Sequence, residues 1–356
     1  MPQTRNIKIG GVPIGGGAPV SVQTMANAHP HDEAALLQQI REAADAGCDI
    51  MRLAVPDAQA AAVFKRVRGQ SPLPLVADIH FDHRLALAAL ESGADGLRIN
   101  PGNIGGAGRV RAVADAARAR NVPIRIGVNG GSLEKDILAR HGSATPEALV
   151  ESALRHVALL EAEGFHDIKV SVKASDVPRT IAAYRLLAQQ TDCPLHLGVT
   201  EAGTFIPGTV RSCVALGVLL SEGIGDTLRV SLTDTPTKEV RVGVELLRSL
   251  GLRPPGASVT SCPTCGRTRV DVATLAARVE ERLERFYREH PDAPRPHIAV
   301  MGCVVNGPGE ARGADIAVAG GDGCFALFVR GKQIRVIPES EALESIVSLA
   351  ETWEAF

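Results

Sequence analysis

Aromatic side chains are scarce in this 356-residue chain: eight Phe, two Tyr and one Trp, 3% of the total. So few flat rings leave little stacking surface for single-stranded nucleic acid. An excess of one charge sign is missing too. Thirty-eight basic residues are interspersed with 40 acidic ones, for a formal net charge of −2, and no basic block offers itself to a phosphate backbone or an anionic membrane surface. No run approaches the ~18 apolar residues that a spanning helix needs. The opening Met-Pro-Gln-Thr-Arg-Asn-Ile-Lys lacks the apolar region of a signal peptide. These absences predict a cytoplasmic protein with neither nucleic acid nor membrane as its partner. Cysteine is sparse as well: seven in such a length make no disulfide framework, so those that cluster point to metal or redox chemistry.

Hydrophobic residues are plentiful at 45%, enough for one barrel-sized domain and a smaller one of about 100 residues. Short β-branched runs at 19–25, 49–55, 73–80, 96–100, 123–128, 167–173, 195–199 and 228–233 each precede a helical pattern, such as 33–46, 109–120, 146–163 or 239–250. Eight βα units in roughly 230 residues predict an α/β fold, a (β/α)8 TIM-type barrel spanning residues 1–251, with a doubly wound sheet as the alternative. Residues 252–257, rich in Pro and Gly, read as a linker. Residues 258–356 then form a smaller α+β domain. It contains a cysteine-bearing loop, a helix around 272–288, a strand at 297–301, a Gly-rich turn region, a strand pair at 324–330 and 333–337, and a closing helix from 341. The glycines of 10–17 precede a strand instead of following one, which predicts a hairpin turn and no dinucleotide cofactor.

In a closed barrel alternate strand residues point inward, and functional groups gather at the C-terminal strand ends. The sixth strand then turns Ile168, Val170 and Val172 to the helices and Lys169, Ser171 and Lys173 inward. The eighth sends Arg229, Ser231 and Thr233 inward, the fifth Arg125, Gly127 and Asn129, the fourth Arg98 and Asn100, the third Asp78 and His80, and the second Arg52. Arg52, Arg98, Arg125, Lys173 and Arg229 thus converge on one mouth. Like charges in a partly desolvated cavity are costly unless an anion compensates them, so a diphosphate or polycarboxylate substrate is expected. The alternative is structural pairing with Asp78, Asp234 or Glu201. His80 and His196 read as satisfied structural histidines.

Ser261-Cys-Pro-Thr-Cys-Gly266 places two thiols in a C-x2-C turn, and Cys303 follows in Met301-Gly-Cys-Val-Val-Asn-Gly-Pro-Gly-Glu310. The expected metal set is Cys262, Cys265, Cys303 and Glu310. A carboxylate is a weaker ligand than a thiolate for a cluster iron and can be displaced, which suits an iron that opens to substrate. A zinc site, or an all-thiolate cluster completed by Cys324, remains the alternative.

At these residues the sequence resembles the 4-hydroxy-3-methylbut-2-enyl diphosphate synthase family of the non-mevalonate isoprenoid pathway, in its bacterial short form. The resemblance rests on Ser261-Cys-Pro-Thr-Cys-Gly-Arg-Thr268 and Gly302-Cys-Val-Val-Asn-Gly-Pro-Gly-Glu310. It extends through Asp78-Ile-His-Phe81, Arg125-Ile-Gly-Val-Asn-Gly-Gly-Ser-Leu133 and Val199-Thr-Glu-Ala-Gly203. It implies a 4Fe-4S cluster on Cys262, Cys265, Cys303 and Glu310, and an iron–sulfur oxidoreductase that opens the ring of 2-C-methyl-D-erythritol 2,4-cyclodiphosphate with electrons from flavodoxin or ferredoxin. On that reading Arg52, Arg98, Arg125, Asn129, Lys173, Arg229 and Ser231 hold the diphosphate, and Glu201 and Glu310 are the catalytic carboxylates. Where the family carries Met-Thr-Asn-Thr after the first strand, this chain has Met25-Ala-Asn-Ala-His29. The last barrel helix returns the chain to the end opposite the mouth, and the linker reaches at most ~25 Å. A head-to-tail homodimer with shared active sites is therefore expected, as the resemblance also implies. Competing classes are a non-redox barrel lyase or transferase with a zinc-stapled domain, which needs no electron donor, and a cluster carrier or iron sensor, which needs no inward cations.

Overall fold

The computed structural model describes residues 3–303, 309 and 312–354, and the chain divides into two compact units, 1–253 and 254–356. The first opens with an antiparallel hairpin of β1 (Ile7–Ile9) and β2 (Val12–Ile14). Its turn uses Gly10 at φ +58°, a conformation that a Cβ would strain. Eight parallel strands follow: β3 (Ser21–Met25), β4 (Ile50–Ala54), β5 (Leu75–Asp78), β6 (Gly96–Ile99), β7 (Ile124–Asn129), β8 (Ile168–Lys173), β9 (His196–Leu197) and β10 (Thr227–Leu228). Their order is β8-β7-β6-β5-β4-β3-β10-β9, and a parallel bridge between Val170 and Leu195 joins the two outer strands. The sheet is closed, so the barrel forms and the doubly wound alternative, whose sheet is open, does not.

Helices α1 (Glu33–Asp45), α2 (Ala58–Arg68), α3 (His83–Glu91), α4 (Ala107–Arg118), α5 (Lys135–His141), α6 (Pro146–Glu161), α7 (Val177–Ala188), α8 (Phe205–Ser221) and α9 (Pro236–Ser249) surround it. Asp32, Asp57, Asp82 and Asp176 start α1, α2, α3 and α7 by accepting from the backbone N–H of Ala35, Ala60, Arg84 and Arg179. Such caps are each worth about 1 kcal/mol and set where the preceding loop must end. Outward strand residues such as Val22, Ile168, Val170 and Leu228 join one core with the helices. A Cβ on Gly243 of α9 would come within 3.0 Å of Leu228 and 3.2 Å of Val22, so this helix lies directly on the barrel wall. At the N-terminal strand ends Ile7, Ile9 and Ile14 pack with Ile50 and Val76 and plug the floor. Burial of each such side chain contributes about 1.5–3 kcal/mol. Arg253 donates to Gly47 O at 3.1 Å and to Asp49 Oδ1 at 2.7 Å, so the chain leaves the barrel at that same floor end.

The last two strands are shorter than the sequence runs at 195–199 and 228–233. Arg229 N still donates to Leu197 O at 3.0 Å, but Leu232 N donates to the carboxylate of Glu239 at 2.9 Å instead of to a neighbouring strand.

The second unit is a five-stranded sheet in the order β11 (Ser258–Ser261), β12 (His297–Met301), β13 (Ile316–Gly320), β14 (Cys324–Val329) and β15 (Lys332–Pro338). The first three are parallel and the rest antiparallel. Helices α10 (Val272–Glu289) and α11 (Ala342–Glu351) share a core with it, through Val279, Leu283 and Ile346. Two of these strands were not legible as strands. β11 is half-exposed, with a polar end, and β13 reads Ile-Ala-Val-Ala-Gly, whose small residues carry little strand preference. No helix among the described residues is long and apolar enough to cross a membrane.

Candidate active site

The inward faces of the barrel strands carry the predicted cations, and each meets a different environment. Arg52 lies 3.8 Å from Asp78, and Arg98 3.5 Å from the same carboxylate. Arg52 also donates to Met25 Sδ at 2.7 Å, while Arg98 donates to Gly127 O at 3.2 Å and faces His80 Nδ1 at 3.2 Å. Arg229 makes a fork to Glu239, with Nη2 to Oε1 at 3.1 Å and Nε to Oε2 at 3.2 Å. Arg125 is buried and donates to Ser171 Oγ at 2.9 Å. Lys173 is buried too; a Cβ at Gly198 would collide with its Nζ, so the bare backbone of position 198 makes its place. Neither Arg125 nor Lys173 has a carboxylate within ion-pair distance among the described residues.

Mutual repulsion shows in the titration behaviour. Burial, then Arg52 and Arg98, push the Arg125 guanidinium well below its ordinary range. Burial, then Arg125, Arg229 and Arg52, do the same to the Lys173 ammonium. Burial also lowers Arg52, to about 10, with Asp78 opposing the shift and Arg229 and Arg98 adding to it. For Asp78, burial alone would raise the carboxyl, but Arg52, His80 and Arg98 outweigh it and hold it well below the usual carboxylate range. This interior therefore favours anions and lacks enough of them.

Of the carboxylates named as alternative structural partners, Asp78 does face Arg52 and Arg98, whereas Asp234 pairs with Lys238 at 2.9 Å. The partner of Arg229 is Glu239, which was not foreseen. Glu239 is 3% exposed and also accepts from Thr24 Oγ1 at 2.6 Å. A signal for it exists: Pro236, Glu239, Val240, Gly243, Val244 and Leu247 form the buried stripe of α9, and a charged residue on an apolar helical stripe needs a buried partner. Glu201 is exposed just beyond β9 and holds φ +52°. A left-handed non-glycine residue costs on the order of 1 kcal/mol and is typical of functional strand ends. Asn129 ends β7 in register with Lys173, and its N–H donates to Ser132 Oγ at 3.0 Å. Ser231 is half-buried past β10. His80 joins Asp78 and Arg98 at the rim, with Nε2 3.4 Å from Asp78. His196 is fully buried, and burial followed by Lys173 and Arg125 keeps it neutral. In the divergent loop Gln39 of α1 supplies polar contacts: its Oε1 accepts from Asn27 N and Ala28 N at 3.1 Å.

In the second unit β11 and β12 pair with Ser261 opposite Val300, so the C-x2-C loop and Cys303 emerge at the same sheet end. Gly302 N donates to Cys262 Sγ at 3.3 Å, a backbone-to-sulfur contact of the kind that tunes iron–sulfur sites. Thr268 Oγ1 accepts from Cys265 N at 3.1 Å, and Thr268 N donates to Cys265 O at 2.9 Å, which closes the loop. Thr264 between the cysteines holds φ +64°. Cys262 is half-buried and Cys265 exposed. Glu310 lies outside the described residues, within which no three metal-binding side chains converge. Soft, accessible thiols with an N–H aimed at sulfur fit a cluster as a donor set. Cys48 differs: burial first pushes its thiol up to about 12, the behaviour of an inert core cysteine. Cys324 opens β14 as a half-buried strand residue.

A closed (β/α)8 barrel with buried cations at its C-terminal strand ends, joined to a thiol-bearing α+β unit, defines a two-unit barrel enzyme. Residues 4–244 match the GcpE TIM-barrel domain and residues 258–352 the GcpE protein C-terminal domain. The chain belongs to the GcpE family. It is 55% identical over 349 residues to a Geobacter sulfurreducens protein called 4-hydroxy-3-methylbut-2-en-1-yl diphosphate synthase (flavodoxin), covering 98% of this chain and 97% of that one. Proteins of the same name from Maridesulfovibrio salexigens and Clostridium perfringens are 55% and 50% identical, over 96% and 98% of this chain and 94% and 99% of theirs.

Proposed function

We propose that this chain makes 4-hydroxy-3-methylbut-2-enyl diphosphate by reductive ring opening and dehydroxylation of 2-C-methyl-D-erythritol 2,4-cyclodiphosphate, a step of isoprenoid biosynthesis, with flavodoxin as electron donor. One carbon–oxygen bond to phosphate breaks, the neighbouring hydroxyl leaves as water, and a carbon–carbon double bond forms between those two carbons. Counted on the neutral acids, the change consumes two electrons and two protons. The observation that carries the reading is the pair Arg125 and Lys173, buried cations with no carboxylate within ion-pair distance among the described residues, on a wall that also holds Arg52, Arg98 and Arg229. A bound diphosphate supplies the missing negative charge, with Asn129 and Ser231 as further hydrogen-bonding groups. The exposed Glu201 at the rim serves as proton donor or orienting group for the departing oxygen. Cys262, Cys265, Cys303 and Glu310 are the residues proposed to hold a 4Fe-4S cluster, which when bound supplies the electrons one at a time. Anaerobic protein given the cyclic diphosphate and reduced flavodoxin should release the linear diphosphate, followed by phosphorus NMR. Unchanged substrate with a fully loaded cluster would sink the proposal.

A head-to-tail homodimer, in which the cysteine loop of one chain serves the barrel of its partner, is part of this reading. It is supported by the exit of the chain at Arg253, tied to Gly47 and Asp49 at the floor end and away from the cations. An inactive Cys303→Ala variant mixed with an inactive Arg229→Ala variant is expected to regain about a quarter of wild-type turnover, because one mixed site in a random dimer population is intact. No recovery after demonstrated subunit exchange would refute it.

A further inference from the structure

Helix α6 carries two polar side chains on its otherwise apolar buried stripe, Ser152 and His156. Four residues apart, they share one face of the helix, and both reach segments that leave the barrel at its mouth. Gly102 N donates to His156 Nδ1 at 3.1 Å. On the other side of the ring, Nε2 faces Glu134 Oε1 at 3.3 Å, and Ser152 Oγ donates to Glu134 Oε2 at 2.7 Å. The Oε1 contact is electrostatic and not an aligned hydrogen bond, since that oxygen has no hydrogen-bond partner among the described residues. Gly102 belongs to the segment after β6, the strand of Arg98, and Glu134 to the segment after β7, the strand of Arg125 and Asn129.

Both segments are rich in glycine: residues 100–108 read Asn-Pro-Gly-Asn-Ile-Gly-Gly-Ala-Gly, and 129–134 Asn-Gly-Gly-Ser-Leu-Glu. Such backbone has much conformational freedom to lose, so a fixed pose needs anchors. Ile104 and Leu133 supply an apolar anchor to each, and His156 supplies a polar one between them. Position 102 lets the imidazole approach because it is glycine: a Cβ there would fall 2.5 Å from His156 Cε1. A ring nitrogen that accepts from a backbone N–H carries no proton, which fixes the neutral Nε2–H tautomer. Burial lowers the proton affinity of this ring; Glu134 opposes the shift and Arg155 adds to it.

We propose that His156 is a positioning residue: with Ser152 and Glu134 it pins the segments after β6 and β7 in the pose in which Arg98 and Asn129 meet the diphosphate. It acts from behind the mouth, through Gly102 and Glu134. The inference rests on the reading of the mouth as a diphosphate site and adds the residue that sets the shape of one side of it.

Hydrogen exchange of the ligand-free full chain and calorimetric binding of inorganic pyrophosphate test it together. His156→Leu keeps the bulk and removes the acceptor; it should speed exchange in 100–106 and 130–134 and weaken pyrophosphate about tenfold, the equivalent of one lost hydrogen bond. His156→Gln, whose amide oxygen can accept from Gly102 N and whose NH2 can reach Glu134, should stay close to wild type in both. Gly102→Ala, at an exposed backbone position, should reproduce the leucine variant with the imidazole intact, and it decides the matter if His156→Leu does not fold. Unchanged exchange and affinity in the leucine and alanine variants would overturn the proposal, as would a glutamine variant impaired as much as the leucine one. A wild-type protein that binds no pyrophosphate would count against the diphosphate reading of the mouth, and the exchange rates would still judge the anchoring by His156.

Discussion

Arg125→Met is expected to lower kcat/KM for the cyclic diphosphate by about 10³-fold while leaving the folded protein as stable as before or more so. Arg125 is 4% exposed, with Ser171 as its polar side-chain partner and no carboxylate within ion-pair distance among the described residues. Two charge-assisted hydrogen bonds to a phosphate contribute about 1.5–3 kcal/mol each, which brackets the predicted loss. The stability expectation follows from the same burial. Methionine replaces a desolvated cation that other cations oppose, and removing such a charge relieves a cost. Steady-state kinetics with a reduced dye as electron source and a thermal melt measure the two halves separately. A variant that keeps wild-type kcat/KM would remove Arg125 from the site, and one that unfolds would show that the guanidinium is satisfied in the free protein.

Cys262→Ala should abolish iron and sulfide binding and cut turnover by at least about a thousandfold, because the electron-transfer chemistry belongs to the cofactor. Cys262 is the thiol that accepts from Gly302 N at 3.3 Å and whose own N–H donates to Val300 O at 3.1 Å. It is therefore anchored by backbone on both sides before any metal arrives. The barrel is a separate compact unit with its own core, so calorimetric binding of inorganic pyrophosphate should match wild type. Iron and sulfide assays with the electron paramagnetic resonance spectrum of the reduced protein test the first half. Cluster retention in the variant would exclude Cys262 as a ligand, and one zinc with no sulfide in wild type would turn the argument toward a non-redox barrel enzyme.

Much of this was legible along the chain. The alternation of β8, Ile168-Lys-Val-Ser-Val-Lys173, announced both its buried faces, because a strand repeats every two residues and a barrel buries each of them. Arg52, Arg98, Arg125 and Arg229 were found the same way. What failed to show were partners supplied by distant segments. Glu239 reaches Arg229 and Thr24 from a helix, across separations of 10 and 215 residues, and no local pattern encodes such a meeting. β13 escaped notice because alanines and a terminal glycine carry weak strand preference, and its pairing with β12 and β14 makes it a strand.

By itself the sequence determined the eight-unit barrel, the inward cations and the spacing of the thiols, since periodicity and residue chemistry are local properties of a chain. Only the tertiary structure decided which cations are neutralised and which are left wanting an anion. Arg229 and Arg98 meet carboxylates, while burial followed by Arg52 and Arg98 weighs on Arg125, and burial followed by Arg125 weighs on Lys169 and Lys173. The physical reason is that electrostatic cost depends on distance and desolvation, and both are set when β7, β8 and β10 close around a common interior.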